Sequence, residues 1–305
     1  MKKLLFLLLV FASQTVLSQV IKVLSNEEIP FPSADGYFNP VLSPAGDYVI
    51  VTSADLQGIR KYDFATKKLT TITNGASAGF DAQLSSDGNT IVYRTKEYKG
   101  HLRYTSLKSF NLETGQETVL VKPTRNLEGV AVKEGTVFSV DNGKLKVQKV
   151  AGRKLAVNPP VSSINNGQLY VTTGNSTRLV SPFGKDLSCL WSSISPDGTK
   201  LLFYVIERGK AYVSNIDGSN PVSLGTLRAP KWMGNEWVVG MEDYDDGHVL
   251  TSSKIVAATA NGAVRQDLTD SSIIAISPTP TADASKIMYN TGDGKVYLMN
   301  IKITK

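Results

Sequence analysis

A short turn motif recurs along this chain, and each copy comes directly before a run of residues that favours a β-strand. The clearest copy is Ser195-Pro196-Asp197-Gly198, followed by TKLLFYV. Seven such turns begin at residues 43, 85, 132, 164, 195, 232 and 281, about 40 residues apart on average. Asp-Gly and Asn-Gly pairs supply the positive φ angles of tight hairpin turns. The Val, Ile, Leu, Tyr and Phe that follow favour strands. The sequence therefore predicts an all-β chain of seven repeated units.

Four-stranded propeller blades recur at about 40–45 residues, so these units predict a β-propeller. The two ends of the chain support a closed ring. The last unit supplies two strands, SKIMYN and KVYLMNIKI, on either side of a turn at 292–294, but no outer strand follows them. The strand-like segment Val20–Ser25 has no partner nearby. We expect this segment to complete the seventh blade, which protects sheet edges and ties down the terminus.

The fifth unit (about 190–225), with SPDGTKLLFY and AYVSNIDGSNPVSLG, resembles the WD-repeat-like blade of TolB-type propellers. Similar blades form the propellers of prolyl-oligopeptidase-type enzymes. The resemblance is good in the first two units, partial in the sixth and seventh, and weak in the third and fourth. It implies a propeller across the chain. Family members often have six blades, whereas the turn count predicts seven, so six blades is the alternative. The hydrolase domain of the enzymes is not expected, because the last unit ends at Lys305.

The first residues are typical of a secretory signal peptide. A basic start, MKK, precedes the apolar run Leu4–Ala12, which is too short to span a bilayer. We place cleavage between Ser18 and Gln19, which leaves residues 19–305 as a single propeller domain. The expected location is the periplasm or the cell exterior, with no membrane span and no lipid anchor.

Composition limits the partners. The formal charge is +6, and no block of Lys or Arg is dense enough to predict nucleic-acid binding. The lone cysteine, Cys189, excludes an internal disulfide and is expected to be a buried, inert thiol. The chain is expected to be a monomer.

Two connections between second and third strands are predicted to be long loops, in the second unit (Lys96–Ser106) and the sixth (Glu242–Ser253). They contain both histidines of the chain. Functional residues concentrate on loops held by a rigid scaffold, so this face is the candidate binding face. The candidate binding residues are Lys96, Tyr98, Lys99, His101, Arg103 and Tyr104 in the first loop, and Glu242, Asp243, Tyr244, Asp245, Asp246 and His248 in the second.

Each loop has alternative interpretations. Four carboxylates in the sixth-unit loop could serve calcium, which takes several oxygen ligands. However, Gly247 stands where an EF-hand would place a ligand. A solvated acidic loop and a contact surface are the alternatives, and no cofactor is the primary expectation. The second-unit loop is either exposed charge or a basic, aromatic patch that meets an anion or a protein, since Tyr, Trp and Arg are enriched at interface cores.

Catalytic motifs are weak. Gly75–Gly79 reads Gly-x-Ser-x-Gly, but a nucleophile at Ser77 needs a strand before it and a helix after it, and no helix is predicted. A zinc site of His101, His248 and a carboxylate would need the two loops to converge across the channel. Trp191, Trp232 and Trp237 are expected to pack between blades.

No catalytic residues are therefore predicted. The leading hypothesis is an exported, non-enzymatic module that recognises a protein or peptide through the two long loops. The alternative is a propeller that binds or cleaves glycans at the channel mouth. Fold alone does not decide between them.

Overall fold

A computed structural model describes residues 20–33, 35–152 and 158–304. These residues form 26 β-strands in seven separate sheets and contain no α-helix. The sheets are the blades of a seven-bladed propeller, which confirms the predicted fold and excludes six blades. The predicted signal peptide, residues 1–18, and its cleavage site lie outside the described residues.

The first strand of the described chain, β1 (Val20–Glu28), belongs to the last blade, and the next strands fill the first three blades in order. Blade one contains β2 (Phe38–Leu42), β3 (Tyr48–Thr52), β4 (Ile59–Asp63) and β5 (Leu69–Thr73). Blade two contains β6 (Gln83–Leu84), β7 (Thr90–Lys99), β8 (Leu102–Asn111) and β9 (Glu117–Thr124). Blade three contains β10 (Leu127–Lys133), β11 (Thr136–Asp141) and β12 (Lys144–Lys149).

The remaining four blades follow the same antiparallel order. Blade four contains β13 (Val161–Asn165), β14 (Gln168–Thr173) and β15 (Ser176–Val180). Blade five contains β16 (Cys189–Ile194), β17 (Lys200–Val205), β18 (Lys210–Asn215) and β19 (Val222–Gly225). Blade six contains β20 (Arg228–Met233), β21 (Trp237–Asp245), β22 (Leu250–Thr259) and β23 (Arg265–Asp267). Blade seven contains β24 (Ala275–Pro280), β25 (Lys286–Thr291) and β26 (Val296–Thr304), with β1 outermost.

The N-terminal strand closes the ring, as predicted. β1 pairs antiparallel with β26 from Val20 opposite Thr304 to Glu28 opposite Tyr297, with one register shift after Val23. Ile21 is buried in the core shared by blades six and seven. Closure therefore uses both main-chain pairing and an apolar anchor, and it spares β26 an open edge.

The turn motif owes its recurrence to a small hydrogen-bond network. In blade five the Ser195 hydroxyl donates to the Asp197 carboxylate over 2.6 Å and accepts the Lys200 backbone N–H over 2.9 Å. Gly198 has a positive φ of 79°, which suits glycine. Ser85 and Thr281 make the same pair of contacts in blades two and seven. In these three blades the turn uses a Ser or Thr with an Asp two residues later, whereas in blade one the Ser43 hydroxyl donates to Asp47, four residues later.

The turns of blades three and four explain why the sequences of these two blades resemble the repeat only weakly. Their first turns are two-residue hairpins, Glu134-Gly135 and Asn166-Gly167, in which both residues have positive φ. Neither turn needs the Ser-Asp network. The described part of each blade has three strands rather than four.

The core lies between neighbouring blades. Tyr48, Ile50 and Ile59 of blade one pack with Ile91 and Tyr93 of blade two, and each other pair of neighbours repeats this arrangement. Cys189 is buried between blades four and five, as predicted. Burial, with the nearby Glu207 carboxylate, raises the pKa of the Cys189 thiol to about 11, so it stays protonated at neutral pH.

The first strands are innermost and pack side by side around a central channel, from β6 through β10, β13, β16, β20 and β24 to β2. Five of them carry, at or just before the strand, a residue other than glycine with positive φ. Such residues mark bulges that bend the strand and redirect side chains. They are Asn39, Asp81, Trp191, Ala229 and Ser277, with φ between 46° and 56°.

Candidate functional site

Loops segregate to the two faces of the ring. One face, which we call the arm face, carries the connections between second and third strands and the links between blades. The other carries the turns between first and second and between third and fourth strands. Most connections between second and third strands are short, but two are long hairpins that extend beyond the ring. They are the basic arm, residues 94–107 of β7 and β8, and the acidic arm, residues 242–253 of β21 and β22.

Exposed apolar side chains concentrate on the arm face. The described residues include twelve large hydrophobic side chains that are at least 36% exposed. None lies on a turn of the opposite face. Four lie on outermost strands: Val20, Val23, Leu24 and Val119. The other eight lie on the arm face: Phe80, Tyr98, Leu102, Leu190, Trp191, Ile206, Tyr244 and Val249.

The basic arm is a regular hairpin and not a loop, which corrects the sequence-based expectation. β7 and β8 stay paired out to Lys99 opposite Leu102, and only Gly100 and His101 form the tip. Gly100 takes a positive φ of 60° there.

The pairing divides the predicted residues between two faces of the arm. Glu97, Lys99 and Tyr104 share one face, where Lys99 lies 3.2 Å from the Glu97 carboxylate and 5.2 Å from the ring centre of Tyr104. Lys96, Tyr98 and Arg103 occupy the other face, because Tyr98 is opposite Arg103. His101 is exposed at the tip. Only three of the six predicted residues therefore form one surface.

Two residues missed by sequence reasoning complete that surface. Arg94 stands two positions before Lys96 on the same face of β7. The Phe80 ring, from the link before β6, lies 5.8 Å from the Arg94 guanidinium carbon and 5.5 Å from Lys96 Nζ. Strand alternation could have pointed to Arg94. The position of Phe80 depends on the path of the link and had no local signal.

The acidic arm is also mostly strand, with a turn at residues 246–249. Its two inner carboxylates are held within the fold. The Glu242 carboxylate lies 3.3 Å from Lys254 Nζ and 3.2 Å from an Arg265 guanidinium nitrogen. Asp243 is buried and accepts a 2.9 Å hydrogen bond from Arg228. Neither residue is thus a free ligand on a solvent-exposed loop.

The tip of the acidic arm is where exposed residues remain. The Asp246 carboxylate accepts the backbone N–H groups of His248 and Val249, which lowers the Asp246 pKa and shapes the turn. Asp245 accepts the N–H of Gly247 in the same way. Tyr244 is 58% exposed. The tip therefore presents an aromatic ring and an imidazole above carboxylates that are engaged in the turn.

Across residues 20–33, 35–152 and 158–304, no three or more His, Cys, Asp or Glu side chains are grouped as metal ligands. His101 and His248 lie at the tips of separate arms, on blades two and six. The structure does not bring them together with a carboxylate. Within the same residues, no helix has the length and apolar character needed to cross a membrane.

Lys231 is a charged residue of the innermost strand β20. Lys231 Nζ donates a 2.7 Å hydrogen bond to the Thr279 hydroxyl on the neighbouring first strand. Solvent reaches the Lys231 side chain through the channel, but protein atoms surround it on all sides. This enclosure disfavours the charged form and lowers the pKa of Lys231. The Asp81 carboxylate, from blade two, partly offsets that shift.

The three tryptophans lie in two different environments. Trp237 is fully buried, and half-buried Trp232 donates to the Ser193 carbonyl over 3.4 Å, so these two pack between blades as predicted. Trp191 does not: it is 38% exposed on the arm face, on a bulge with a φ of 49°. The bulge turns it away from the core, and its ring meets Tyr204 edge-on at 5.2 Å. Ser77 precedes β6 with no helix after it, as expected.

Comparison with known proteins finds similarity in structure only. No protein-family model matches the sequence, and no curated protein matches it. A crystal structure of a mitotic checkpoint complex includes a chain with a TM-score of 0.59 at 8% identity, covering 98% of both chains. An oligogalacturonate lyase from Vibrio parahaemolyticus has a TM-score of 0.49 at 14% identity, covering 87% of this chain and 78% of that one.

An oligogalacturonate lyase in complex with manganese gives the same TM-score at 15% identity, covering 88% of this chain and 78% of that chain. These identities are too low to carry an activity from one chain to another. TolB-type repeats are not singled out by these matches. The described strands form a seven-bladed β-propeller, and the similarity to the chain of the checkpoint complex agrees with that fold.

Proposed function

We propose that this chain is an exported, non-enzymatic binding module that recognises a protein or peptide through the arm face. The observation that carries the proposal is the distribution of exposed apolar side chains. Single exposed hydrophobic residues are normal on any protein. Here eight of the twelve lie on the arm face and none on the turns of the opposite face, and a concentration of this kind, rimmed by polar residues, is typical of a protein-interaction surface. Tyr98, Trp191 and Tyr244 are the residue types that dominate such contacts.

The arms add reach to this face. Each is a paired hairpin anchored in a buried blade, so its tip is presented with less conformational freedom than a loop would have. Export to the periplasm or the cell exterior rests on the signal-like sequence of residues 1–18.

Site-specific photo-cross-linking tests this proposal. A photoreactive phenylalanine analogue replaces Tyr244 or Ile206 on the arm face, and Lys67 or Val119 as controls. Lys67 lies on a turn of the opposite face and Val119 on an outer strand. After irradiation in the source envelope, we expect one partner protein on the arm-face positions only. Adducts of equal yield from the control positions, or none from the arm face, would contradict the proposal.

The glycan alternative is favoured by one observation, the exposed indole of Trp191 beside the channel mouth. Aromatic rings on a protein surface stack well against sugars. Titration of purified envelope glycans, followed by Trp fluorescence, tests it with Trp191→Phe as the control for the signal. A saturable change lost in that variant would support glycan binding, and an unchanged spectrum would exclude this role for Trp191.

A further inference from the structure

One face of the basic arm brings three cationic side chains together. Arg94, Lys96 and Arg103 lie on the same face, because cross-strand partners share a face and Tyr98 is opposite Arg103. Residues two apart on one strand are about 6.6–6.8 Å apart. The charges therefore form a short row, with Tyr98 among them.

Phe80 lies against this row. Its ring is within 6 Å of both Arg94 and Lys96, the range in which a cation is attracted by the face of an aromatic ring. The ring is still 46% exposed. We call Phe80, Arg94, Lys96, Tyr98 and Arg103 the cationic cluster.

The charge in this cluster is largely uncompensated. Arg94 has a carboxylate partner, Asp81, at 2.9 Å. Among the residues that the structure describes, neither Lys96 nor Arg103 lies within ion-pairing distance of an acidic group. Partial burial, with repulsion from Arg103 and Arg94, lowers the pKa of Lys96. Like charges held close together repel one another, so we expect the cluster to lower the stability of the free protein.

We propose that the cationic cluster binds an acidic peptide segment of the partner, an extended stretch with carboxylates at alternate positions. This inference rests on the proposed function. An extended peptide places alternate side chains on one face at the spacing of Arg94, Lys96 and Tyr98. Guanidinium groups bind carboxylates through paired hydrogen bonds. Phe80 and Tyr98 add apolar contact, which favours a peptide over a polyanion that offers charge alone.

The test uses a fluorescein-labelled peptide of alternating Glu and Thr and the mature protein, with anisotropy measured at about 50 mM salt, where charge screening is modest. The variant Lys96→Gln/Arg103→Gln removes the two unpaired charges. The control Lys99→Gln/Lys67→Gln removes the same net charge from the other face of the arm and from the opposite face of the ring. We expect binding at least about tenfold weaker in the first variant, from loss of charge-assisted contacts, and within about twofold of wild type in the control.

Because the variant removes repulsion, we expect the melting temperature of Lys96→Gln/Arg103→Gln to be at or above that of wild type. Weaker peptide binding by this variant would then not be a result of misfolding. Equal binding by all three proteins, or equal weakening in both variants, would overturn the proposal. So would displacement of the peptide by an equal charge of heparin without any preference for the peptide. The cross-linking positions, Tyr244 and Ile206, lie outside the cluster. A partner that still cross-links there but binds both variants equally would therefore contradict the cluster alone.

Discussion

The guanidinium of Arg228 donates a 2.9 Å hydrogen bond to the carboxylate of Asp243, whose side chain is only 4% exposed. The pair joins the start of β20 to the base of the acidic arm. The second carboxylate oxygen of Asp243 is buried without a hydrogen-bond partner in the described structure. A residue that resembles a surface ligand in the sequence is thus part of the scaffold that holds the arm.

Replacing Asp243 should therefore destabilise the fold. We expect Asp243→Ala to lower the free energy of unfolding by about 1–3 kcal/mol, because it leaves Arg228 without its partner. Breaking a fully buried ion pair costs more, about 3–5 kcal/mol. That larger cost does not apply here, because the Arg228 side chain is 38% exposed. Urea unfolding measures the change. An exposed carboxylate elsewhere gives the control: Asp186→Ala should stay within about 0.5 kcal/mol of wild type. Equal effects of the two would refute the structural role of Asp243.

Ring closure by β1 gives a second prediction. Ile21 is 2% exposed in the core between blades six and seven, whereas Val23 on the same strand is 36% exposed. Ile21→Ala should cost about 2–4 kcal/mol through lost burial and a cavity, and Val23→Ala less than about 1 kcal/mol. Thermal unfolding compares them. If both variants have the melting temperature of wild type, β1 does not contribute to the folded ring in solution.

The inner-strand bulges give a third prediction. Ala229 has a φ of 46°, which costs an L-residue about 1–2 kcal/mol but not glycine. Ala229→Gly should therefore raise the free energy of unfolding by about 0.5 kcal/mol. Ala257→Gly, in the regularly paired part of strand β22, should lower it by about 1 kcal/mol. Opposite signs in chemical denaturation are the expected result; a loss in both variants would contradict the bulge at Ala229.

Acid stability depends on the turn carboxylates. Hydrogen bonds from Ser85, Ser195 and Thr281 hold the pKa values of Asp87, Asp197 and Asp283 below their usual 3.8. A folded-state pKa below the unfolded value adds stability above pH 3.8 that disappears as the pH falls through the lowered values.

Stability should therefore fall below about pH 4, and Asp→Asn replacement at Asp87, Asp197 and Asp283 should flatten this fall. Equilibrium unfolding at several pH values between about 2 and 7 measures it. The matched control is Asn at Asp267, whose carboxylate pairs with Lys254 and lies outside the turns. If the free energy of unfolding falls as steeply with decreasing pH in the triple variant as in wild type, these turns do not govern acid stability.

The sequence predicted the repeat well because its signal is local. A Ser or Thr, an Asp two residues on and a Gly satisfy each other within one turn, as at Ser195, Asp197 and Gly198. The closing strand was predictable for a related reason: Val20–Ser25 had strand character and the last unit lacked a strand. Local chemistry and a count of elements sufficed for both.

The candidate site was predicted less completely. The predicted residues lie on the two arms, but two of them, Glu242 and Asp243, are held in ion pairs with Arg265 and Arg228 on other strands. Trp191 was expected in the core and lies at the surface, because a bulge turns it outward. Contacts between separate strands leave no pattern within a short window of sequence. The same is true of a residue with a positive φ inside a strand.

By itself, the sequence determined the number of blades, the chemistry of most first turns and the positions of both arms, because these depend on neighbours within about ten residues. Only the tertiary structure decided which side chains are available for binding. It paired Asp243 with Arg228, separated Lys96 and Arg103 from Lys99, and placed Phe80 against Arg94. The physical reason is that exposure and charge compensation depend on partners that folding brings together from separate strands and links.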